Sequence, residues 1–136
     1  MQISPYLSFN GQCEAAFKFY EQSLGGKIEF LMRYESMPAE FQPSTEWLQK
    51  IAHASLTLHG QTLMGADAPP GRHQKPQGFH VTIGLSDAAE AERIFAALAE
   101  SGTVEMPLQE TFWAIRFGLV VDRFGTPWMI NCGKPV

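Results

Sequence analysis

The sequence predicts an α+β fold made of two βαβββ modules that follow one another along the chain. Two internal matches carry this prediction. A shift of 76 residues places Leu7-Ser8-Phe9 on Ile83-Gly84-Leu85 and Gly26-Lys27-Ile28-Glu29 on Gly102-Thr103-Val104-Glu105, with no gap between them. A second shift, of 65 residues, places Gly60-Gln61-Thr62-Leu63-Met64 on Gly125-Thr126-Pro127-Trp128-Met129. The difference of 11 residues falls in a polar loop, residues 35–49, where the first module carries an insertion.

The elements of the first module follow from the spacing of its apolar residues. Residues 3–9 alternate apolar and polar side chains, as a half-buried strand does. Apolar residues then recur at helical spacing from Ala15 until Gly25-Gly26 ends the helix. Strands at 27–34, 51–58 and 61–66 complete the module, and prolines mark residues 35–49 as a loop.

The second module repeats this order. Residues 79–85 read as a strand, Asp87 is placed to cap a helix that runs to Glu100, and strands follow at 103–106, 112–121 and 127–132. A proline-rich linker at about 68–77 joins the two repeats. We therefore expect one domain over 1–136, with repeat one at about 1–67 and repeat two at about 78–133.

Composition excludes several classes of function. The chain has 136 residues, 45% of them hydrophobic, which suffices for one core, and its net charge of -4 does not suit a nucleic-acid partner. No apolar run is long enough to cross a membrane, and the start lacks the pattern of a signal peptide. Its two cysteines, Cys13 and Cys132, are too few for a disulfide framework. We expect a cytoplasmic protein that binds neither nucleic acid nor membrane.

Several motifs resemble one superfamily. Phe19-Tyr20 followed by Leu24-Gly25-Gly26, and Asp122-Arg123-Phe124-Gly125 before the last strand, are similar to the vicinal oxygen chelate (glyoxalase/bleomycin resistance/dioxygenase) superfamily. Pro5-Tyr6-Leu7, the segment from Met106-Pro107-Leu108 to Thr111-Phe112-Trp113, and Gly125-Thr126-Pro127-Trp128 resemble its PhnB-like branch. Members of that branch are sometimes labelled demethylubiquinone methyltransferases. The sequence offers no strand followed by a glycine-rich turn for a nucleotide-type cofactor.

The resemblance implies a curved-sheet cradle, helices on its convex face, a small-molecule pocket on the concave faces, and homodimerisation. The rows Leu7/Phe9, Leu56/Leu58 and Val81/Ile83/Leu85 should then face helices. The alternate rows should face the pocket; they are Ser4/Tyr6/Ser8, His53/Ser55/Thr57 and His80/Thr82/Gly84.

The resemblance also implies four places for metal ligands, at the first and last strand of each module. In this sequence they are Ser4, Met64, His80 and Met129. A hydroxyl and two thioethers are poor ligands for hard divalent ions, so His80 is the only candidate. We expect no cofactor; a divalent metal stays open as the alternative.

Two functions remain. One is the binding of a small organic ligand by Tyr6, Met64, Trp113, Arg116, Met129 and Asn131, with the histidines lining the same cavity. The other is an enzyme of the lyase, isomerase or dioxygenase type, with His80 or His53 as acid, base or metal ligand, acting on a substrate with adjacent oxygens. Structural alternatives apply throughout: His53 can be a structural strand residue, Trp113 can fill core, and Arg116 can pair internally with Glu105 or Asp122.

Overall fold

The computed structural model describes residues 1–134 of the chain, and these form two compact units. The first unit covers residues 1–74 and the second begins at Lys75. The boundary between them falls inside the linker that the sequence predicts.

The first unit has the order βαβββ. Its elements are β1 (Tyr6–Phe9), α1 (Cys13–Leu24), β2 (Lys27–Arg33), β3 (Ile51–Leu58) and β4 (Gln61–Asp67). The four strands form one sheet in the order β1-β4-β3-β2, in which β1 runs parallel to β4 and the other pairs are antiparallel.

The second unit repeats the same order and the same pairing. Its elements are β5 (Val81–Leu85), α2 (Ala88–Ala99), β6 (Thr103–Gln109), β7 (Ala114–Val121) and β8 (Pro127–Gly133). The sheet order is β5-β8-β7-β6, again with a parallel first pair. The predicted α+β class with two βαβββ modules is confirmed.

One helix covers one face of each sheet. In the first unit Leu7, Phe9 and Leu56 are buried, and Phe17 of α1 packs so tightly on Gly65 that a Cβ there would lie 2.9 Å from its ring. In the second unit Phe95 of α2 approaches Gly118 in the same way. Because side chains alternate along a strand, the other row of each sheet faces away from its helix. We call the two uncovered surfaces open face 1 and open face 2.

Several predicted strand ends are wrong by a few residues. The first strand begins at Tyr6 rather than Ile3, and Ile3 is fully exposed. Strand β5 begins after His80, and β7 begins after Trp113. Strand β6 continues to Gln109 through Pro107, which an edge strand tolerates because one side of its backbone has no partner strand.

The loop at residues 35–49 packs beside the start of α1. Including Tyr34, it contains three short 3₁₀ helices, Tyr34–Ser36, Ala39–Phe41 and Thr45–Trp47. The Trp47 ring lies against Gly11, and the Lys50 ammonium donates to the Gly11 carbonyl oxygen at 3.0 Å. Phe41 is 61% exposed. The loop is thus fixed at Trp47, while Phe41 lies outside the core.

Within residues 1–134, no helix has the length and apolar character needed to cross a membrane. Cys13 and Cys132 are both buried and free. Burial, with the nearby negative charges of Asp67 and Glu14, raises the pKa of the Cys13 thiol far above its usual range. Cys13 therefore stays protonated and packs as a small core residue.

A buried carboxylate on β4 ties the first unit together. Asp67 is 1% exposed, and its Oδ1 accepts hydrogen bonds from the backbone N–H groups of Gly11 and Cys13, each at 2.9 Å. Its Oδ2 accepts from the N–H of Ile51 at 2.8 Å. The N-cap residue of α1 makes no side-chain capping bond, and Asp67 of β4 accepts from the N–H groups at the start of the helix instead.

We expect Asp67→Ala to lower the free energy of unfolding by about 3 kcal/mol or more, because it leaves backbone donors without an acceptor in the core. Urea denaturation followed by circular dichroism measures this change. Asp87→Ala is the matched control, because Asp87 caps α2 from an exposed position through Ala89 N–H. Its expected cost is about 1 kcal/mol. Equal costs for the two variants would contradict this role of Asp67.

Candidate functional site

Open face 1 carries a row of aromatic and sulfur-containing side chains across its four strands. Tyr6 on β1 lies opposite Met64 on β4, Met64 lies opposite Ser55 on β3, and Ser55 lies opposite Phe30 on β2. Tyr6 is 52% and Phe30 48% exposed. Large apolar rings are thus displayed on this surface rather than packed beneath α1.

His53 lies on β3 two residues before Ser55, on the same face, and contacts two rings of this row. The Tyr6 hydroxyl and Nδ1 of His53 are hydrogen-bonded at 3.0 Å, and their rings stack with centroids 5.6 Å apart. The Phe30 ring lies on another side of the imidazole, at 5.7 Å. The imidazole is therefore held between two rings and oriented by one of them.

The Tyr6 hydroxyl stays protonated at neutral pH. Partial burial raises the pKa of the Tyr6 phenol, and the neighbouring Cys13 and Tyr34 raise it further. The hydrogen bond therefore joins a neutral phenol to Nδ1 of His53, and the imidazole tautomer sets which of the two groups donates. Because Tyr6 engages Nδ1, the other ring nitrogen, Nε2, is left to hydrogen-bond another group.

Open face 2 has a different lining. Thr82, Met129 and Leu119 lie opposite one another on neighbouring strands, as do Gly84, Asn131 and Phe117. The Thr82 hydroxyl contacts the Met129 sulfur at 3.6 Å. The side-chain oxygen of Asn131 is buried and has no hydrogen-bond partner among residues 1–134, which is uncommon for a buried polar atom.

Trp113 lies just before β7 at the Phe117 end of this face. It is 46% exposed, and its ring meets those of Phe112 and Phe117 edge to face at 4.7 and 5.2 Å. Trp113 does not fill the core. That role belongs to Trp128, which is 1% exposed and donates its indole N–H to Asp122 at 2.9 Å.

Arg116 lies on the helix side of its sheet. It shares a row with Gly118, which Phe95 of α2 covers, and its Nε donates to Glu92 of α2 at 3.0 Å. The predicted internal partners, Glu105 and Asp122, are wrong.

His80 lies immediately before β5, with Nε2 3.5 Å from a carboxylate oxygen of Glu105. This pair lines a cavity of about 380 Å³ within the second unit. From the sequence, Glu105 was considered only as a partner of Arg116 and was not placed in a site. The sequence analysis also missed Phe30 and Phe117, whose places beside the site depend on strand register.

Comparison with known proteins decides the family. The family model described as 3-demethylubiquinone-9 3-methyltransferase matches residues 1–131. The chain belongs to this family. As the resemblance to the PhnB-like branch implies, a PhnB protein, a glyoxylase/bleomycin resistance protein/dioxygenase domain and a fosfomycin resistance protein, 24%, 13% and 8% identical to this chain, share its fold.

Relatives of this PhnB-like protein cover almost its whole length. Protein YjdN of Escherichia coli K12 is 39% identical and matches 98% of this chain and 97% of its own. The crystal structure of protein PA1353 from Pseudomonas aeruginosa is 43% identical, covers 99% of both chains and has a TM-score of 0.91. A PhnB protein from Bacillus cereus, 24% identical with a TM-score of 0.81, covers 98% of this chain and 100% of its own and shares the fold.

The four places that the resemblance assigns to metal ligands do not suit a metal in this chain. Met64 and Met129 present thioethers on open faces 1 and 2, and Ser4 presents a hydroxyl just before β1. His80 faces Glu105 instead of a set of ligands. Among residues 1–134, no three side chains of the His, Cys, Asp or Glu type gather closely enough to hold an ion. Soft thioethers and a neutral hydroxyl form a poor donor set for a hard divalent cation.

Proposed function

We propose that this PhnB-like protein binds a small organic molecule with a flat apolar part against open face 1. The supporting observation is the hydrogen-bonded, stacked pair of Tyr6 and His53 on a surface that α1 does not cover. Exposed aromatic rings that are nevertheless fixed in place provide contact area at a low entropic cost on binding.

The neighbouring side chains fit this role. Phe30 and Met64 border the pair and supply an apolar surface that can adapt to a ligand's outline. Nε2 of His53, the ring nitrogen that Tyr6 does not engage, provides one directional hydrogen-bonding group for a ligand. A mainly apolar surface with few, well-oriented polar groups is typical of small-molecule sites.

Open face 2 offers a contact surface of its own within the second unit in this proposal. The exposed ring of Trp113 offers a stacking platform, and the buried oxygen of Asn131 lacks the donor that a ligand would bring. Met129 lies beside Asn131 on the same strand. Arg116 is left out of the proposed site, because its guanidinium already donates to Glu92 of α2.

Screening a metabolite library by thermal shift should yield ligands that raise the melting temperature, because they bind only the folded state. For any such ligand, Tyr6→Phe should weaken binding about tenfold by freeing the imidazole to rotate, and His53→Gln should weaken it at least as much. Isothermal titration calorimetry measures both changes.

His59→Asn serves as the histidine control, because His59 lies in the exposed turn between β3 and β4. It should leave the affinity unchanged. Ligands that bind the Tyr6→Phe and His53→Gln proteins as tightly as the unaltered chain would show that open face 1 is not the site.

We further propose that the ligand binds without a resident metal, because the thioethers of Met64 and Met129 and the hydroxyl of Ser4 are poor ligands for a hard divalent cation. Elemental analysis of protein purified without chelator should find far less than one divalent ion per chain. Dialysis against a chelator should leave both the melting temperature and the affinity unchanged. One tightly held ion per chain would overturn this part of the proposal.

Acid–base catalysis is the second candidate, and the Tyr6 to His53 hydrogen bond favours it. A tyrosine that fixes one imidazole nitrogen orients the other toward a substrate. Turnover of dicarbonyl or catechol compounds that disappears in both His53→Gln and Tyr6→Phe would establish an enzyme. Turnover that survives both changes but not His80→Ala would assign the chemistry to His80 instead.

We also propose that the protein forms a homodimer and acts in the cytoplasm, where its two buried cysteines would stay reduced. The edge strand β6 exposes Val104 and Met106, and Phe112 beyond it is 89% exposed. Light scattering coupled to size exclusion should give twice the chain mass, and Phe112→Ser with Val104→Thr should shift it toward the monomer. A monomer at every concentration would contradict the dimer.

A further inference from the structure

The cavity beside His80 carries charged groups that the proposed function does not use. Its volume is about 380 Å³, and all its lining residues belong to the second unit. Charged and polar side chains contribute much of the lining; they are Lys75, Gln77, His80, Thr103 and Glu105. Phe79 and Val121 add apolar surface.

Glu105 lies at a bulge in β6. The pairing of β6 with β7 steps from Val104 to Met106 and leaves Glu105 as the extra residue. Glu105 follows Thr103 by two residues, so both side chains lie on the same face of β6, and both line the cavity. The same irregularity occurs in β2, where Glu29 is the extra residue between Ile28 and Phe30.

The two glutamates occupy the same place in the repeat but have different partners. In the first unit the Thr57 hydroxyl donates to Glu29 at 3.0 Å. Thr57 lies opposite Lys27. The counterpart of Lys27 in the second unit is Thr103, and the residue opposite Thr103 is Val121. Val121 has no hydroxyl group to donate. Glu105 therefore lacks the donor that occupies Glu29 in the first unit.

His80 does not replace that donor fully. Its Nε2 lies 3.5 Å from the Glu105 carboxylate, longer than an N–H···O hydrogen bond between charged groups. The two side chains are 30% and 48% exposed, so both can be reached from the cavity. An ammonium group has three donors and could contact the carboxylate and a neutral imidazole together.

We propose that this cavity binds a small zwitterion of the α-amino acid type. Glu105 accepts hydrogen bonds from the ligand's ammonium group, His80 provides a second acceptor, and Lys75 faces the carboxylate at the other end. Charges of both signs in the lining suit a ligand with both charges better than a simple cation or anion.

Calorimetric titration of the full chain with the free α-amino acids tests this proposal. Each amino acid is compared with its N-acetyl derivative, which lacks the ammonium group, and with its amide, which lacks the carboxylate. At least one free amino acid should bind, and either modification should weaken binding about tenfold.

The variants should change selectivity as well as affinity. Glu105→Gln should weaken binding of the free amino acid about tenfold and abolish the protein's preference for the free amino acid over its N-acetyl form. Lys75→Met should abolish the protein's preference for the free amino acid over its amide. Glu29→Gln is the matched control, because it makes the same change at the same bulge in the first unit, and it should leave both preferences intact.

Three results would overturn the proposal. They are the absence of binding by every free amino acid at millimolar concentration, equal affinity for the free and blocked forms, and an unchanged affinity in Glu105→Gln. Circular dichroism melting of each variant verifies that a lost affinity reflects the site and not unfolding. Because the ligands of open face 1 are tested through Tyr6 and His53, failure here leaves that proposal standing.

Discussion

Within residues 1–134, each sheet has four strands and is covered by one helix, so each sheet keeps one face that its helix does not cover. A helix buries one face of a sheet, so the period-two alternation of side chains fixes which residues enter the core and which stay uncovered. The tight contacts of Phe17 with Gly65 and of Phe95 with Gly118 hold each helix against its sheet. The face of each sheet that points away from these glycines carries the site residues. They are Tyr6, His53 and Met64 in the first unit, and Met129 and Asn131 in the second. The candidate site is thus a consequence of the packing.

The fold was largely predictable because the module occurs twice. Two copies aligned without a gap over a helix and its flanking strands constrain each other more than either pattern alone. Strand ends were less predictable. Ile3 continues the apolar alternation but lies outside the sheet, since alternation does not reveal where a partner strand stops.

The site was only partly predictable. Alternation placed Tyr6 and His53 in pocket-facing rows, but their hydrogen bond joins residues 47 positions apart, and only the register brings them together. Two other contacts also join residues far apart in the sequence. Arg116 pairs with Glu92 of α2, and Glu105 lies beside His80. Spacing along one strand does not reveal such partners.

The central claim is that a small molecule binds the uncovered face of the first sheet. Nuclear magnetic resonance titration of protein labelled at methyl groups and histidine rings, with a ligand from the thermal screen, tests it most directly. The account predicts shift changes at the Met64 methyl and the His53 imidazole, with little change at the Leu56 and Leu63 methyls beneath α1. Changes confined to the helix side, or to the loop around Phe41, would contradict it.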